Sequence, residues 1–320
     1  MMTQTAYFKK MRMRCDGPNK GQVKVSRQGG VVLALALGLA WRTAAAESFP
    51  VPDMGRLAAT AGVSQVEGAA GGGLTPWAVI AGYGTRDSYG GAAHITYLPT
   101  QDYALTSYGV AVGIADRVEF SLNKQIFTGS QAPLNHLRLE QDIVGVKVRL
   151  SGNLVYDQDT WVPQIAVGAM FKHNNGVGGL SGVNNVTQLG AASDHGIDYY
   201  LSATKLFMEQ SILLNGTLRA TKANQMGLMG FGGDLHNRYQ LMAEGSAAYL
   251  ISRQLLAGVE YRMKPRNLAI DQEKDNYDVF VSYFPIKNVS VTLAYVALGD
   301  ITIYNTRRQN GAYLSLQAGF

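Results

Sequence analysis

Residues 311–320, GAYLSLQAGF, alternate apolar with polar or small side chains and end on an aromatic ring. Side chains of a β-strand point alternately to opposite faces, so this stretch has one apolar face and one polar face. The apolar face holds Ala312, Leu314, Leu316, Ala318 and Phe320. An apolar face suits lipid and a polar face suits a lumen, so the stretch predicts the last strand of a transmembrane β-barrel. The edge strand of a soluble sandwich is the alternative.

The N-terminal residues predict export from the cytoplasm. A basic leader precedes the apolar run VVLALALGLAW at residues 31–41, and three alanines follow at residues 44–46. This is the pattern of a secretory signal peptide with cleavage near Ala46. The apolar run is well short of the roughly 20 residues that a spanning helix needs. We therefore expect residues 1–46 to be removed and residues 47–320 to form a single barrel domain.

The charge balance changes when the leader is set aside. Residues 1–46 hold eight of the 28 Lys and Arg residues and one of the 23 Asp and Glu residues, which leaves 20 basic and 22 acidic side chains. The basic excess therefore belongs to the leader, and no nucleic-acid partner is indicated. The single cysteine, Cys15, also lies in the leader. The mature chain is predicted to have neither a disulfide nor a cysteine metal site.

The remaining sequence consists of short alternating segments separated by turn-forming residues, with no apolar stretch long enough for a transmembrane helix. For example, Val146 and Val148 alternate with Lys147 and Arg149. This pattern predicts an all-β, antiparallel up-and-down transmembrane β-barrel of twelve to fourteen strands. The predicted strands lie near residues 56–66, 75–83, 91–98, 103–114, 117–126, 139–151, 160–172, 196–207, 211–223, 238–251, 255–264, 276–284, 289–299 and 311–320.

The predicted connections alternate between short and long, as periplasmic turns and outer loops do in membrane barrels. A sandwich with Greek-key crossovers has no reason to keep this parity. The short connections lie near residues 115–116, 208–210, 252–254 and 285–288, with one of intermediate length at 152–159. The long ones lie near residues 127–136, 173–195, 224–237, 264–276 and 299–309. Aromatic residues expected at the membrane interfaces are Trp77, Trp161, Tyr249, Tyr261, Tyr283, Tyr295 and Phe320.

The first three predicted strands leave the strand count open. Strands near residues 56–66, 75–83 and 91–98 give fourteen, but the glycine run at residues 71–73 and the short segment at residues 91–98 also allow another arrangement. They also fit a plug or an N-terminal stretch folded into the lumen, which gives twelve.

Charged residues on the polar face of the predicted strands are the main functional clue. The candidates for lining the lumen are Glu119, Lys147, Arg149, Arg219, Glu244, Glu260, Arg262 and Asp278. Turn geometry places Glu244 near Arg219 and Arg262, and Glu119 near Arg149. These charges form either a mixed-charge constriction in an open pore or salt-bridged filling of a solid interior. Four bases balance four acids, so no strong ion selectivity is expected.

A barrel enzyme is the rival class of protein. His173 and the pair Asp194 and His195 lie on the longest predicted outer loop, but no Gly-x-Ser-x-Gly motif accompanies them. His, Asp and Glu do not cluster at a metal-ligand spacing. We therefore predict no catalytic residue, no metal and no cofactor. The apolar residues within 173–195 favour a loop that folds inward as a constriction, and an outward recognition loop is the alternative.

Several stretches resemble DUF3034, an uncharacterised proteobacterial family. They include GVSQVEGAAGGGLTPWAVIAGYGTR at residues 62–86, QDIVGVKVRL at 141–150 and GSAAYL at 245–250. The resemblance covers nearly all of residues 55–320 and implies a secreted, barrel-like protein, without supplying a substrate or a cofactor. The last strand, closing on Phe320, is similar to the C-terminal signature of Gram-negative outer-membrane proteins. That similarity implies the barrel-assembly machinery as a partner.

These observations predict a barrel in lipid of the bacterial outer membrane that passes small solutes by passive diffusion. A non-conducting barrel that displays loops is the first alternative, and a barrel enzyme acting on lipid or peptide is the second.

Overall fold

A computed structural model of the protein describes residues 61–303 and 307–320. The predicted signal peptide, its cleavage near Ala46 and residues 56–60 of the first predicted strand lie outside this part of the chain. No helix among the described residues has the length and apolar character needed to cross a membrane. The strands are β1 (Val63–Ser64), β2 (Ala70–Gly71), β3 (Tyr89–Pro99), β4 (Tyr103–Ile114), β5 (Val118–Gly129), β6 (Arg138–Ser151), β7 (Gln164–Gly178), β8 (His195–Phe207), β9 (Ile212–Thr221), β10 (Gln240–Ser252), β11 (Leu255–Arg262), β12 (Asn276–Ile286), β13 (Val289–Ala297) and β14 (Asn310–Gly319). Short 3-10 helices span Val186–Leu189 and Gln225–Gly227.

Strands β3 to β14 form a closed antiparallel barrel in which each strand pairs with its sequence neighbours. The ring closes between β14 and β3, whose register runs from Leu314 opposite Tyr97 to Gly319 opposite Ala92. Closure leaves no strand of the ring with an unpaired edge. The predicted barrel fold is confirmed with twelve strands, the lower of the two expected counts. The short segment at residues 91–98 belongs to the ring as β3.

The two faces of the strands differ as the sequence pattern predicts. On β14, Leu314 is 43% exposed and Leu316 is 47% exposed, whereas the alternating residues Tyr313 and Ser315 are buried. The other strands repeat this alternation, so the outside of the ring is a continuous band of apolar side chains. Such an exterior is what lipid requires of a spanning barrel.

Turn length also separates the two ends of the barrel. The short connections and the C-terminal end of β14 share one end, where the turns span residues 115–117, 152–163, 208–211, 253–254 and 287–288. The opposite end carries the connections at residues 130–137, 179–194, 222–239, 263–275 and 298–309. Two connections depart from this rule. The link between β3 and β4 at the long-loop end spans only residues 100–102, and the turn-end connection at residues 152–163 is longer than the loop at residues 130–137.

Exposed aromatic residues mark both ends of the apolar band, as interfacial rings do. Those at the long-loop end are Tyr97, Tyr199, Tyr261, Tyr277 and Tyr295, and those at the turn end are Tyr89, Tyr249, Tyr283 and Phe320. The prediction for Trp77 is wrong, because its side chain is 1% exposed inside the barrel. Its indole Nε1 donates a hydrogen bond to Ser246 Oγ at 2.9 Å.

A charge placed on the apolar band tests the membrane-facing assignment. Leu122 lies at the middle of β5 and is 56% exposed. We expect Leu122→Arg to lower the free energy of unfolding in lipid vesicles by about 2 to 4 kcal/mol, the penalty for arginine near the bilayer midplane. Thr187→Arg, on an outer loop, is the matched control and should leave it unchanged. Equal stability of the two variants in a urea titration would contradict a lipid-facing Leu122.

Candidate functional site

Residues 61–84 lie inside the barrel, and every one of them is buried. We call this segment the plug. Its strands β1 and β2 pair only with each other, Val63 opposite Gly71 and Ser64 opposite Ala70. The prediction that residues 75–83 form a barrel strand is therefore wrong. The segment follows the other expectation for this region, an N-terminal stretch folded into the lumen.

The glycine run at residues 71–73 permits close packing of the plug backbone. A Cβ atom on Gly72 would lie 2.0 Å from Glu260 Oε1, and one on Gly71 would lie 2.3 Å from the carbonyl oxygen of Thr75. The backbone carbonyl cannot move away easily, so Gly71 is required for a tight turn within the plug. Gly72 marks a close approach of the plug to Glu260 of the wall, whose side chain would have to shift to admit a Cβ atom.

Glu67 of the plug meets three cations of the barrel wall. Its Oε2 lies 2.8 Å from Arg262 Nη1 and 3.3 Å from Arg219 Nη2. Its Oε1 accepts a hydrogen bond from Lys172 Nζ. The three cations come from β7, β9 and β11. A single plug carboxylate thus joins three strands of the wall.

Two carboxylates of the wall balance these cations. Asp198 Oδ2 lies 2.6 Å from Lys172 Nζ, and Glu244 Oε1 lies 2.5 Å from Arg219 Nε. Glu244 also lies opposite Arg262 in the strand register. We call the full set the central ionic cluster; it consists of Glu67, Lys172, Asp198, Arg219, Glu244 and Arg262.

The central ionic cluster is buried and balanced in charge. None of its six residues is more than 5% exposed, and three cations face three carboxylates. Buried charges are tolerated in proteins when they are paired and hydrogen-bonded, and removal of one partner leaves an uncompensated charge. The cluster therefore depends on Glu67, its only member from the plug.

A second pair of wall charges binds the plug backbone. Lys147 Nζ donates to the carbonyl oxygens of Ala70 and Val79, both at 2.8 Å, and lies 3.1 Å from Glu119 Oε2. Glu119 accepts the backbone N–H groups of Ala70 at 3.1 Å and Ala81 at 2.8 Å. These two side chains supply hydrogen bonds to backbone groups of the plug in place of a neighbouring strand.

Glu119 and Arg149 are expected to be near-opposite. The register of β5 and β6 puts Glu119 directly opposite Lys147, and Arg149 lies two residues further along β6 on the same face. Arg149 lies nearer the turn end, where its Nη1 is 2.6 Å from Asp116 Oδ2. A shift of two residues along a strand keeps a side chain on the same face but moves it to a different neighbour.

Glu260 holds the plug on the opposite wall. It accepts the N–H of Leu74 at 2.7 Å and the hydroxyls of Thr75 at 2.6 Å and Ser246 at 2.8 Å. Asp278 lies opposite Glu260 in the register and is 2% exposed. Its carboxylate oxygens have no hydrogen-bond partner among the described residues.

Outer loops enter the barrel from the other end. The carbonyl oxygen of Met226 accepts hydrogen bonds from Lys172 Nζ at 3.1 Å and Gln141 Nε2 at 3.2 Å. Val186, on the loop between β7 and β8, is fully buried, and the backbone of Ser193 in that loop pairs with Phe231. The long loop therefore folds inward, one of its two expected fates. Plug and loops meet at Lys172.

The loop histidines do not form a catalytic relay. His195 Nδ1 lies 2.8 Å from Asp194 Oδ1 and 3.4 Å from Ser193 Oγ. A Ser-His-Asp relay needs the serine and the carboxylate on different ring nitrogens. Hydrogen bonds from Asn185 and then from His195 hold the pKa of Asp194 below its usual value. Within the described ranges, no three His, Cys, Asp or Glu side chains group closely enough to hold a metal ion.

All eight charged residues predicted for the lumen are buried in the barrel interior. Sequence reasoning missed Glu67, Lys172 and Asp198. The signal for the last two was strand alternation, since exposed Phe171 precedes Lys172 and exposed Tyr199 follows Asp198. Glu67 carried no such signal, because the plug has no strand periodicity.

One family model covers most of the chain. Residues 60–317 match the family model described as "Protein of unknown function (DUF3034)". A comparison with curated proteins finds no match.

Solved barrels align with most of the chain at low identity. The KdgM porin is 12% identical over 72% of this chain and 99% of its own, with a TM-score of 0.44. The NanC porin is 11% identical over 71% and 98%, with a TM-score of 0.48. Outer membrane phospholipase A from Escherichia coli is 7% identical over 75% and 91%, with a TM-score of 0.39. Likeness this distant transfers neither transport nor catalysis to this chain.

Glu67 is the position where the plug is most sensitive to substitution. We expect Glu67→Gln to lower the free energy of unfolding by about 3 to 5 kcal/mol, because it leaves buried cations without their partner. Glu209→Gln, at an exposed turn, is the matched control and should stay within about 0.5 kcal/mol of the parent protein. A urea titration in detergent measures both. A Glu67→Gln protein as stable as the control would contradict the central role of this carboxylate.

Proposed function

We propose that this chain, which belongs to the DUF3034 family, is an outer-membrane barrel for the uptake of small molecules, held closed at rest by the plug. The observation that carries the proposal is the complete burial of residues 61–84 inside a twelve-stranded ring. No cofactor or energy source is needed for diffusion through such a path. The solute moves when the plug shifts.

The size of the ring supports a transport path. Eight strands enclose just enough space for their own side chains to fill, and wider rings enclose more. A barrel that served only as a scaffold could fill its interior with larger side chains. In this chain a separate segment, the plug, fills the interior. The side chains of the wall alone would therefore leave the lumen open.

The polar contacts between the plug and the wall favour a plug that can move. The plug is held at Glu67, at the Glu119 and Lys147 pair and at Glu260 by ion pairs and hydrogen bonds. Water can replace these polar contacts one at a time. The plug side chains Val63, Trp77 and Val79 also pack against apolar residues of the wall, and this packing would be lost when the plug moves. Once the plug is displaced, the path is lined by the charged residues Glu119, Lys147, Arg149, Arg219, Glu244, Glu260, Arg262 and Asp278.

The apolar exterior supports the outer membrane as the location, since closed barrels are one of the two structures that can span lipid. Export by the signal peptide at residues 1–46, with cleavage near Ala46, stays a prediction.

Planar-bilayer conductance tests the proposal. We expect the refolded parent protein to conduct rarely, because the plug and the loop at Met226 both occupy the lumen. A variant that lacks residues 61–84 should give frequent discrete steps, and one in which residues 225–229 are also replaced by Gly and Ser should give larger steps. Heat-modifiable mobility on a gel establishes that each variant has folded. If both folded variants stay silent, the interior is structural filling and the uptake proposal fails.

Recognition of the last strand by the barrel-assembly machinery is the second part of the proposal. The side chain of Phe320 is exposed, while its backbone N–H donates to the Gly91 carbonyl at 2.9 Å and its carbonyl accepts from Gly91 N–H at 3.0 Å. We expect Phe320→Ala to lower the yield of assembled barrel in cells and to refold normally in detergent, because it keeps these backbone bonds. Deletion of Phe320 removes both and serves as the comparison. Normal cellular yield for Phe320→Ala, with loss only on deletion, would assign the residue to ring closure instead.

A further inference from the structure

An apolar cavity lies at the long-loop end of the barrel. Its wall includes Leu105, Phe127 and Leu139 from the strands, Met226 and Leu228 from the loop between β9 and β10, and Ile301. The volume of the cavity is about 60 Å³. Roughly 10 to 15 Å³ suffices for one water molecule, so the cavity has room for a ligand several times the size of water.

Asn276 is the polar group that the cavity leaves unused. It begins β12, lines the cavity and is fully buried, yet neither its Nδ2 nor its Oδ1 has a hydrogen-bond partner within residues 61–303 and 307–320. A buried amide with both groups unpaired is destabilising, and natural proteins retain few of them. A bound molecule that hydrogen-bonds to Asn276 would satisfy both.

The other polar residues on the wall already have partners. Gln225 Nε2 donates to Asp271 Oδ1 at 2.8 Å, and Gln225 Oε1 accepts from Lys264 Nζ at 3.0 Å. The hydroxyl of Thr302 lies 3.2 Å from that of Tyr103. Asn276 is therefore the lining side chain with free hydrogen-bonding capacity for a ligand.

We propose that this cavity binds a small uncharged molecule that is mostly hydrocarbon and carries one hydroxyl group, with the hydroxyl placed at Asn276. A hydroxyl both donates and accepts, so a single oxygen serves the carbonyl and the amino group of the side chain. A carboxylate accepts only and an ammonium donates only. None of the residues that line the cavity is charged, so an ionic ligand would be desolvated without a counter-ion.

The surroundings give the ligand a way in from outside. Leu180, Leu189 and Ile270 line the cavity and are only half-buried on the outer loops. Beneath these loops, burial and then the neighbouring Asp271 raise the pKa of Glu273 well above its usual value, which reduces the charge beside Gln225. The inference rests on the proposed function, because it names the class of solute that the closed barrel would capture before the plug moves.

Calorimetric titration of the refolded full protein with 4-propylphenol and with propylbenzene tests the site, with protein-free micelles as the blank. We expect 4-propylphenol to bind about 3- to 10-fold more tightly, the effect of hydrogen bonding to a buried amide. Asn276→Leu should remove this preference and keep propylbenzene binding. Leu139→Trp and, on a loop, Leu228→Trp should fill the cavity and weaken both probes at least tenfold. Leu122→Trp, on the outer face, is the matched control and should bind as the parent does.

The outcomes separate this site from the uptake proposal. Unchanged binding in both cavity-filling variants, or an unchanged preference in Asn276→Leu, overturns the site even when the plug-deleted variant conducts. Silent plug-deleted variants, with probe binding lost only in the cavity-filling variants, overturn uptake and support a binding site in a non-conducting barrel. Folding of each variant is established by heat-modifiable mobility before titration.

Discussion

Backbone pairing in lipid is the constraint on which the rest of this structure depends. Hydrocarbon offers no partner to an N–H or C=O group, so a spanning sheet must close on itself. The ring closes where β14 meets β3, and the backbone of Phe320 adds the last hydrogen bonds, to Gly91. Closure also fixes which way the side chains point, because one face of each of the twelve strands then faces a common lumen.

The lumen sets the second requirement, since twelve strands enclose more space than their own side chains fill. The chain meets it with the plug, whose backbone groups and Glu67 carboxylate bond to charges on the wall. The same wall charges therefore have two roles. They hold the plug in place, and they would line the path if the plug were displaced.

The interior has two layers of different chemistry. The central ionic cluster is balanced in charge and includes one carboxylate of the plug, that of Glu67. Under the loops, the cavity is apolar, and the side-chain amide of Asn276 is unpaired in the part of the chain that the structure describes. Lys172 joins the layers, because it bonds to Glu67 of the plug and to the Met226 carbonyl of the loop. Displacement of either the plug or the loop would therefore remove a hydrogen bond from Lys172.

Strand periodicity by itself determined the barrel, its apolar exterior and the inward direction of charges such as Arg219 and Glu260. Alternation can be read from the sequence because it depends only on neighbouring residues of one strand. Tertiary structure alone decided what those charges touch. The sequence around Trp77 and Glu67 fitted both barrel strands and a stretch folded into the lumen, so local pattern did not decide between the two. The pairing of Glu119 with Lys147 instead of Arg149 depended on register, and the apolar cavity depended on loops far apart in sequence folding over one opening. Contacts of that kind arise only when the ring closes and brings distant residues together.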